Sequence, residues 1–336
     1  MLYFFISLFF SICSTLLIRW LASYFNVVDF PDGERKRHQN PVPLLGGISI
    51  FVTFWIIIFG LLRWHQVNGI ALLFPKLVAA FVGSVIVLLI GIADDLRPFS
   101  ALGRLILTSL AILITTILGG GLEKITHPLG GFIQLSTIVG GVLVFFWLLG
   151  MTYTTKILDG LDGLATGVVA IGAFMIYFLT STAQFYQPNV GLVALIFAGT
   201  CLGFLVFNFY PAKIFLGESG SLLIGFTLGI LATLGGGKLA TALLVMAVPI
   251  LDVVRVVYVR FRRKQPIFQG DREHLHFQLL NLGMSERWVV LAYYVAAAAF
   301  GITTLFLQSY QKLIALLFLV IAMVAMGWKL SKISKV

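Results

Sequence analysis

Residues 70–97 read IALLFPKLVAAFVGSVIVLLIGIADDLR, an apolar run with Lys76 as its sole charge before it ends in two adjacent aspartates, Asp94 and Asp95. A stretch of about 20 apolar residues, at 1.5 Å per residue, crosses the roughly 30 Å hydrocarbon layer of a bilayer as a helix. The run has no ten-residue alternation of the kind that marks a membrane β-strand. Similar runs lie at about 1–25, 44–62, 103–121, 133–151, 164–183, 191–210, 219–235, 238–259, 288–307 and 312–330. The reading is all-α: a polytopic integral membrane protein of about eleven transmembrane helices, one domain over 1–336.

Composition agrees. Of 336 residues, 60% are apolar and 11% charged, and mean hydropathy is +1.03. Soluble domains average about 45–50% apolar and about 25% charged, so soluble and disordered classes are excluded. Cys13 and Cys201 lie inside apolar runs and imply no disulfide framework. Leu2–Ile18 lacks a basic leader and a small-residue cleavage site, and is read as a retained first span. The net charge of +10 would point to nucleic acid on a soluble protein. Here the connections of a membrane protein account for it, and no nucleic-acid partner is expected.

Those connections orient the chain. Arg35, Lys36, Arg37, Arg97, Arg104, Lys156, Lys213, Arg255, Arg260, Arg262, Arg263, Lys264, Arg272, Arg287, Lys329, Lys332 and Lys335 fall on one side. Arg63, Lys76, Lys124, Lys238 and Lys312 fall on the other. The basic-rich side is expected to be cytoplasmic, which places the N-terminus outside and the C-terminus inside. Acidic residues are more lopsided still, with Glu123 alone on the outer side. Because Asp and Glu barely influence topology, a function at the inner surface must call for them.

Five inner connections carry that function. Asp94-Asp95 closes the third span; two adjacent carboxylates repel, and a divalent cation or a substrate proton relieves the repulsion. The alternative is a solvated helix end. Asp159-Gly160-Leu161-Asp162-Gly163 permits tight turns with both carboxylates on one side, ahead of a helix whose N-terminal amides favour a phosphate; a simple capped turn is the alternative. Asn208 through Ser221 (NFYPAKIFLGESGS) offers Glu218 as a ligand for a hard cation, Phe215 as a stacking surface, and amides at Ser219-Gly220-Ser221; core or lipid packing is the alternative for Phe215. Asp271-Arg272-Glu273-His274-Leu275-His276 has neither the Cys nor the third His of a zinc site; diphosphate binding or proton shuttling is the functional reading, and filler in a basic loop is the alternative. Arg35-Lys36-Arg37-His38 followed by Pro41-Val42-Pro43-Leu44-Leu45-Gly46-Gly47 reads either as a topology signal or as a site for an anionic head group. Asp252 and Arg255, just after Pro249, should pair at a break or kink within a span.

Taken in order, these motifs resemble the polyprenyl-phosphate N-acetylhexosamine-1-phosphate transferases (glycosyltransferase family 4), from about residue 31 to 287. Span count and the short His-x-His loop look closer to the undecaprenyl-phosphate N-acetylglucosamine-1-phosphate branch than to the phospho-N-acetylmuramoyl-pentapeptide branch. The resemblance implies transfer of a sugar 1-phosphate from a UDP-N-acetylhexosamine to a polyprenyl phosphate at the cytoplasmic face of the cell membrane. UMP would leave, and the first lipid-diphospho-sugar of a cell-surface glycan would remain. It implies Mg²⁺ or Mn²⁺ as cofactor, and homodimers occur in the family.

By the same resemblance, Asp94, Asp95, Asp159 and Asp162 are catalytic, with Asp94 orienting the lipid phosphate or accepting its proton. Glu218 and Asp95 would hold metal. Asn208, Phe215 and Asp162 would bind nucleotide, with Phe215 stacking on uracil. His274, His276, Arg272, Lys36, His38 and Arg104 would bind the phosphates. Three positions depart from the family pattern: Glu218 stands where an Asp is usual, Lys156 where an Asn is usual, and Phe277 where a third His is usual. Against this reading stand a secondary transporter, which would place ionisable groups near the bilayer midplane, and an inactive scaffold that kept the motifs without the chemistry.

Overall fold

In the computed structural model, the described residues are 1–31, 40–63, 73–127, 131–234, 238–266, 273–307 and 310–321. The helices are α1 (Leu2–Tyr24), α2 (Gly46–Arg63), α3 (Phe74–Leu96), α4 (Ala101–Gly119), α5 (Thr137–Leu158), α6 (Leu164–Ser181), α7 (Pro188–Asn208), α8 (Gly217–Thr233), α9 (Leu239–Val245), α10 (Ala247–Arg262), α11 (Leu275–Asn281), α12 (Glu286–Phe306) and α13 (Tyr310–Ile321). Each apolar run has a helical counterpart, and the chain is an all-α multi-pass membrane protein. Among the described residues eight helices are long and apolar enough to cross a membrane, or nine if the bent pair α9–α10 is one span. The expected eleven included α8, which has 17 residues, and α13, described only as far as Ile321.

The shortness of α8 follows from its place. Every residue from Ser219 to Ala232 is buried, with α2, α3, α5 and α6 packed around it. A helix sheathed in protein on all sides need not match the bilayer thickness by itself. Glycines allow the close approach: a Cβ on Gly47 of α2 would lie 2.5 Å from the Gly220 Cα, and one on Gly91 of α3 would lie 2.3 Å from the Ser219 Cα. Without an oil-from-water driving force between spans, such backbone-to-backbone contacts hold membrane helices together.

Two element boundaries differ from the sequence reading. The run at 133–151 was expected to be the fifth span, but Phe132–Gln134 forms a short hairpin strand paired with Lys124–Thr126. Helix α5 starts after Ser136, whose Oγ accepts from Val139 N at 3.4 Å. It then runs on through polar residues to Leu158, because Thr152 and Thr155 donate to the carbonyls of Leu148 and Met151 at 2.7 and 2.9 Å, hiding their hydroxyls inside the helix. Lys156 is thereby lifted onto a rigid helix end. The second difference is the break expected at Pro249. It falls at Met246, where α9 and α10 meet at 72°. A proline ring clashes with the carbonyl four residues earlier, here Val245, the last residue of α9. Breaking at Met246 removes the clash and leaves Pro249 in the first turn of α10, where no amide is needed.

The antiparallel pairing α3–α4, α5–α6 and α7–α8 brings the C-terminal end of the first helix of each pair and the N-terminal end of the second to the same end of the bundle. The Asp94-Asp95, Asp159–Asp162 and Asn208–Glu218 segments meet there. Gly91→Val should therefore separate α3 from α8 and lower the melting temperature of the detergent-purified protein by several degrees, as overpacking by about 1–3 kcal/mol does. Gly60→Ala, where an added Cβ meets nothing within 4 Å, should leave melting unchanged. Equal melting of the two variants would mean that the α3–α8 contact is loose.

Candidate active site

The two aspartates that end α3 do different work. Asp94, only 3% exposed, accepts from Phe99 N at 2.5 Å and pairs with Arg104 Nη1 at 2.5 Å, fixing the turn into α4. Asp95 points the other way. Its Oδ1 accepts from Glu218 N at 2.7 Å and its Oδ2 from Ser219 N at 3.1 Å, so it caps the first turn of α8. Gly217, at φ 73°, makes room: a Cβ there would lie 2.7 Å from Asp95 Oδ2. Of the Ser219-Gly220-Ser221 amides expected to be open to a phosphate, that of Ser219 is occupied, together with the Glu218 amide before it, by a carboxylate of the chain itself.

Glu218 is the centre of an ion cluster. Its Oε1 receives Lys156 Nζ at 2.6 Å and Arg104 Nη1 at 2.7 Å. Its Oε2 is buried and, among the described residues, has no hydrogen-bond partner. Asp159, the residue after α5, receives no hydrogen bond from the described residues either. Although its surface stays partly open, crowding by protein strips water from its carboxyl; with the Glu218 charge adding, this pushes it up to about 8. At neutral pH it holds a proton.

Asp162 and Asn208 build a loop. Asp162 Oδ2 accepts from Ala212 N at 2.8 Å, while its own amide donates to Glu286 Oε1 at 3.1 Å. Asn208, buried at the end of α7, donates to Ile214 O at 3.1 Å and accepts from Thr166 Oγ1 at 3.0 Å. Between them the segment up to Phe215 is pinned. Its far end ladders onto the Pro43–Gly47 turn: Phe215 N donates to Pro43 O at 2.8 Å, Gly46 N to Phe215 O at 3.1 Å, and Gly47 N to Leu216 O at 3.2 Å. Phe215 keeps part of its ring surface open. The Pro/Gly part of the first inner motif therefore positions the Phe215–Glu218 segment. Lys36, His38 and Arg272 lie outside the described residues.

The histidines are anchored from α10. Asp252 Oδ1 takes Arg255 Nη2 at 2.8 Å, and Oδ2 lies 2.9 Å from His274 Nδ1. Leu275 N, the first amide of α11, reaches both oxygens at 3.1 and 3.0 Å. The rings of His274 and His276 lie parallel with centroids 5.8 Å apart. Burial lowers His276 to about 4, the neighbouring His274 adding to it, so its imidazole is neutral at pH 7. Its Nε2 is buried and unpartnered among the described residues, and a Cβ on Gly160 would lie 2.7 Å from it. The His274–His276 segment thus closes over the Asp159–Asp162 turn.

Sequence reading treated Lys156 as an inner-side basic residue and as a departure; its spacing from Asp159 placed it near the site, but its partner, 62 residues away, left no local trace. Among the described residues no three His, Cys, Asp or Glu side chains converge as an all-protein metal cage requires. Magnesium asks for less, since it keeps several waters and is held through one or two carboxylates plus substrate phosphates. Glu218, with its orphaned Oε2, fits that role. Asp95, expected to join Glu218 as ligand, accepts one amide on each of its oxygens.

Asp95→Ala would leave two buried amides unpaired, at a cost of about 1–3 kcal/mol. It should lower the melting temperature clearly more than Asp159→Ala, which removes no hydrogen bond from a described residue. Equal shifts in a thermal melt would show that Asp95 is no cap.

Residues 77–236 match the family described as glycosyl transferase family 4. The chain is 31% identical over 316 residues to a probable undecaprenyl-phosphate N-acetylglucosaminyl 1-phosphate transferase of Bacillus subtilis, covering 91% of this chain and 84% of the relative. It is 31% identical over 315 residues to a decaprenyl-phosphate N-acetylglucosaminephosphotransferase of Mycobacterium tuberculosis, covering 84% and 77%. An undecaprenyl-phosphate alpha-N-acetylglucosaminyl 1-phosphate transferase of Yersinia pestis is 28% identical over 302 residues, covering 86% and 79%. With a carboxylate cluster gathered at one end of a helical bundle and relatives that match along most of their length, the chain belongs to glycosyl transferase family 4 and is a phosphoglycosyl transferase.

Proposed function

We propose that the protein transfers N-acetylglucosamine 1-phosphate from a UDP-activated donor to a polyprenyl phosphate, in the plasma membrane and with its site on the cytoplasmic side, releasing UMP. The single observation that carries this reading is the Glu218 cluster, a carboxylate neutralised on one oxygen by Arg104 and Lys156 and without a hydrogen-bond partner among the described residues on the other. The named activities of the relatives supply the substrate class. An oxygen of the lipid phosphate attacks the sugar-proximal phosphorus; that P–O bond forms as the bond from this phosphorus to the oxygen bridging it to UMP breaks. Bound Mg²⁺, held by Glu218, would neutralise diphosphate charge and align the groups. Arg104 and Lys156 add fixed positive charge beside it. Phe215, pinned at the end of its ladder, offers a ring face to the uracil. Asp159, whose carboxyl feels the Glu218 charge, holds a proton, and neutral His276 offers Nε2 as a hydrogen-bonding group rather than as a cation.

Purified protein with polyprenyl phosphate and Mg²⁺ should release UMP from UDP-N-acetylglucosamine, and only when both substrates are present. Release solely from UDP-N-acetylmuramoyl-pentapeptide would move the protein to the other branch, and no release from any UDP-sugar would leave the scaffold reading standing. In a cysteine-free background, a cysteine placed at Gly131 should label from outside intact cells and one at Gln265 should be protected. The reverse pattern would overturn the cytoplasmic site.

A further inference from the structure

We infer that Lys156 is a positioning residue that acts as the resident countercharge of Glu218, holding the carboxylate by Oε1 and setting how tightly a divalent cation binds there. The inference rests on the proposed reading of Glu218 as a metal contact. Lys156 Nζ sits 2.6 Å from Glu218 Oε1, and the same oxygen also receives Arg104 at 2.7 Å. Arg104 is shared with Asp94 at 2.5 Å, so it cannot follow Glu218 alone; Lys156 is the cation whose sole ion-pair partner among the described residues is Glu218. Both side chains of the pair are largely covered, at 19% and 28% exposure, so water screens their attraction incompletely.

The geometry also explains why the two residues occur together. One more methylene than Asp carries the Glu218 carboxylate out from the first turn of α8 toward α5. There it meets Lys156, which the extension of α5 through Thr152 and Thr155 holds on a rigid helix end. An Asp at 218 would fall short of that ammonium, and an Asn at 156 would leave the longer Glu only Arg104, which Asp94 shares. The two departures from the family pattern are one contact.

A cation approaching Oε2 shares its ligand with an ammonium already on Oε1. Removing that ammonium should therefore tighten metal binding while loosening the orientation of the carboxylate. Mn²⁺ binding to the purified, substrate-free protein reads the first effect by electron paramagnetic resonance titration, and turnover reads the second. Lys156→Met should bind Mn²⁺ about three- to tenfold more tightly, the range expected from losing one partly screened like charge, with a lower kcat. Lys156→Arg should keep both near wild type. In Lys156→Asn/Glu218→Asp the two changes should not add, because either alone already breaks the pair. Lys156→Gln is the second neutral variant should Met impair folding. Unchanged Mn²⁺ affinity in both neutral variants, alongside binding lost in Glu218→Gln, would overturn the role of Lys156 and leave Glu218 as a metal contact. Unchanged Mn²⁺ affinity in Glu218→Gln would overturn both.

Discussion

The contact on which the rest of the structure depends is the grip of Asp95 on two amides of the first turn of α8, those of Glu218 and Ser219, at 2.7 and 3.1 Å. It joins the end of one span to the start of another 123 residues later in a setting where an unpaired amide is costly. The negative carboxylate also faces the positive end of the α8 dipole. With α8 fixed, Glu218 in its first turn is aimed at α4 and α5, and Arg104 and Lys156 converge on it. The glycines at 47 and 91 let α2 and α3 close on the same turn, and the Phe215–Leu216 ladder locks the loop that leads into it.

The membrane class and the helix pattern were legible because lipid imposes a strong demand: long apolar runs, with charges at their ends. The same demand made the site legible as a region. Carboxylates are expensive near a bilayer, so their gathering at five connections had to serve something, and the structure brings Asp94, Asp95, Asp159, Asp162 and Glu218 to one end of the bundle. What sequence could not supply was the division of labour among them. Asp94 and Asp95 are neighbours in sequence yet serve α4 and α8 respectively, because successive residues of a helix point about 100° apart. Asp162 and Asn208 read as nucleotide contacts, yet their polar atoms hold the 210–216 loop through Ala212 N and Ile214 O. Such roles depend on partners tens of residues away, which a local motif does not encode.

Boundaries failed for a related reason. Hydropathy placed the fifth span at 133–151, whereas α5 runs from Thr137 to Leu158. Threonine hydroxyls that bond back to the preceding turn cost little inside a helix, although a hydropathy count treats them as polar. That shift carries consequence for chemistry, since it moves Lys156 from a loop onto a helix. The break at Met246 rather than Pro249 shows a proline acting four residues upstream of itself, on the carbonyl of Val245.

The occupation of the α8 amides changes how this site must handle phosphate. A free helix N-terminus offers about half a unit of positive charge and several donors, and the sequence appeared to provide one at Ser219-Gly220-Ser221. Asp95 has claimed the Glu218 and Ser219 amides of its first turn. A donor diphosphate and a lipid phosphate together bring several negative charges to a place already holding five carboxylic side chains. With the leading helix amides taken, the balancing charge has to come from side chains and from a bound ion. Arg104 and Lys156 answer part of that demand, and both are already committed to Asp94 and Glu218. Protonation of Asp159 removes one negative charge at no cost in cations. The remaining deficit is the physical argument for the divalent cation proposed above at Glu218, whose Oε2 has no hydrogen-bond partner among the described residues.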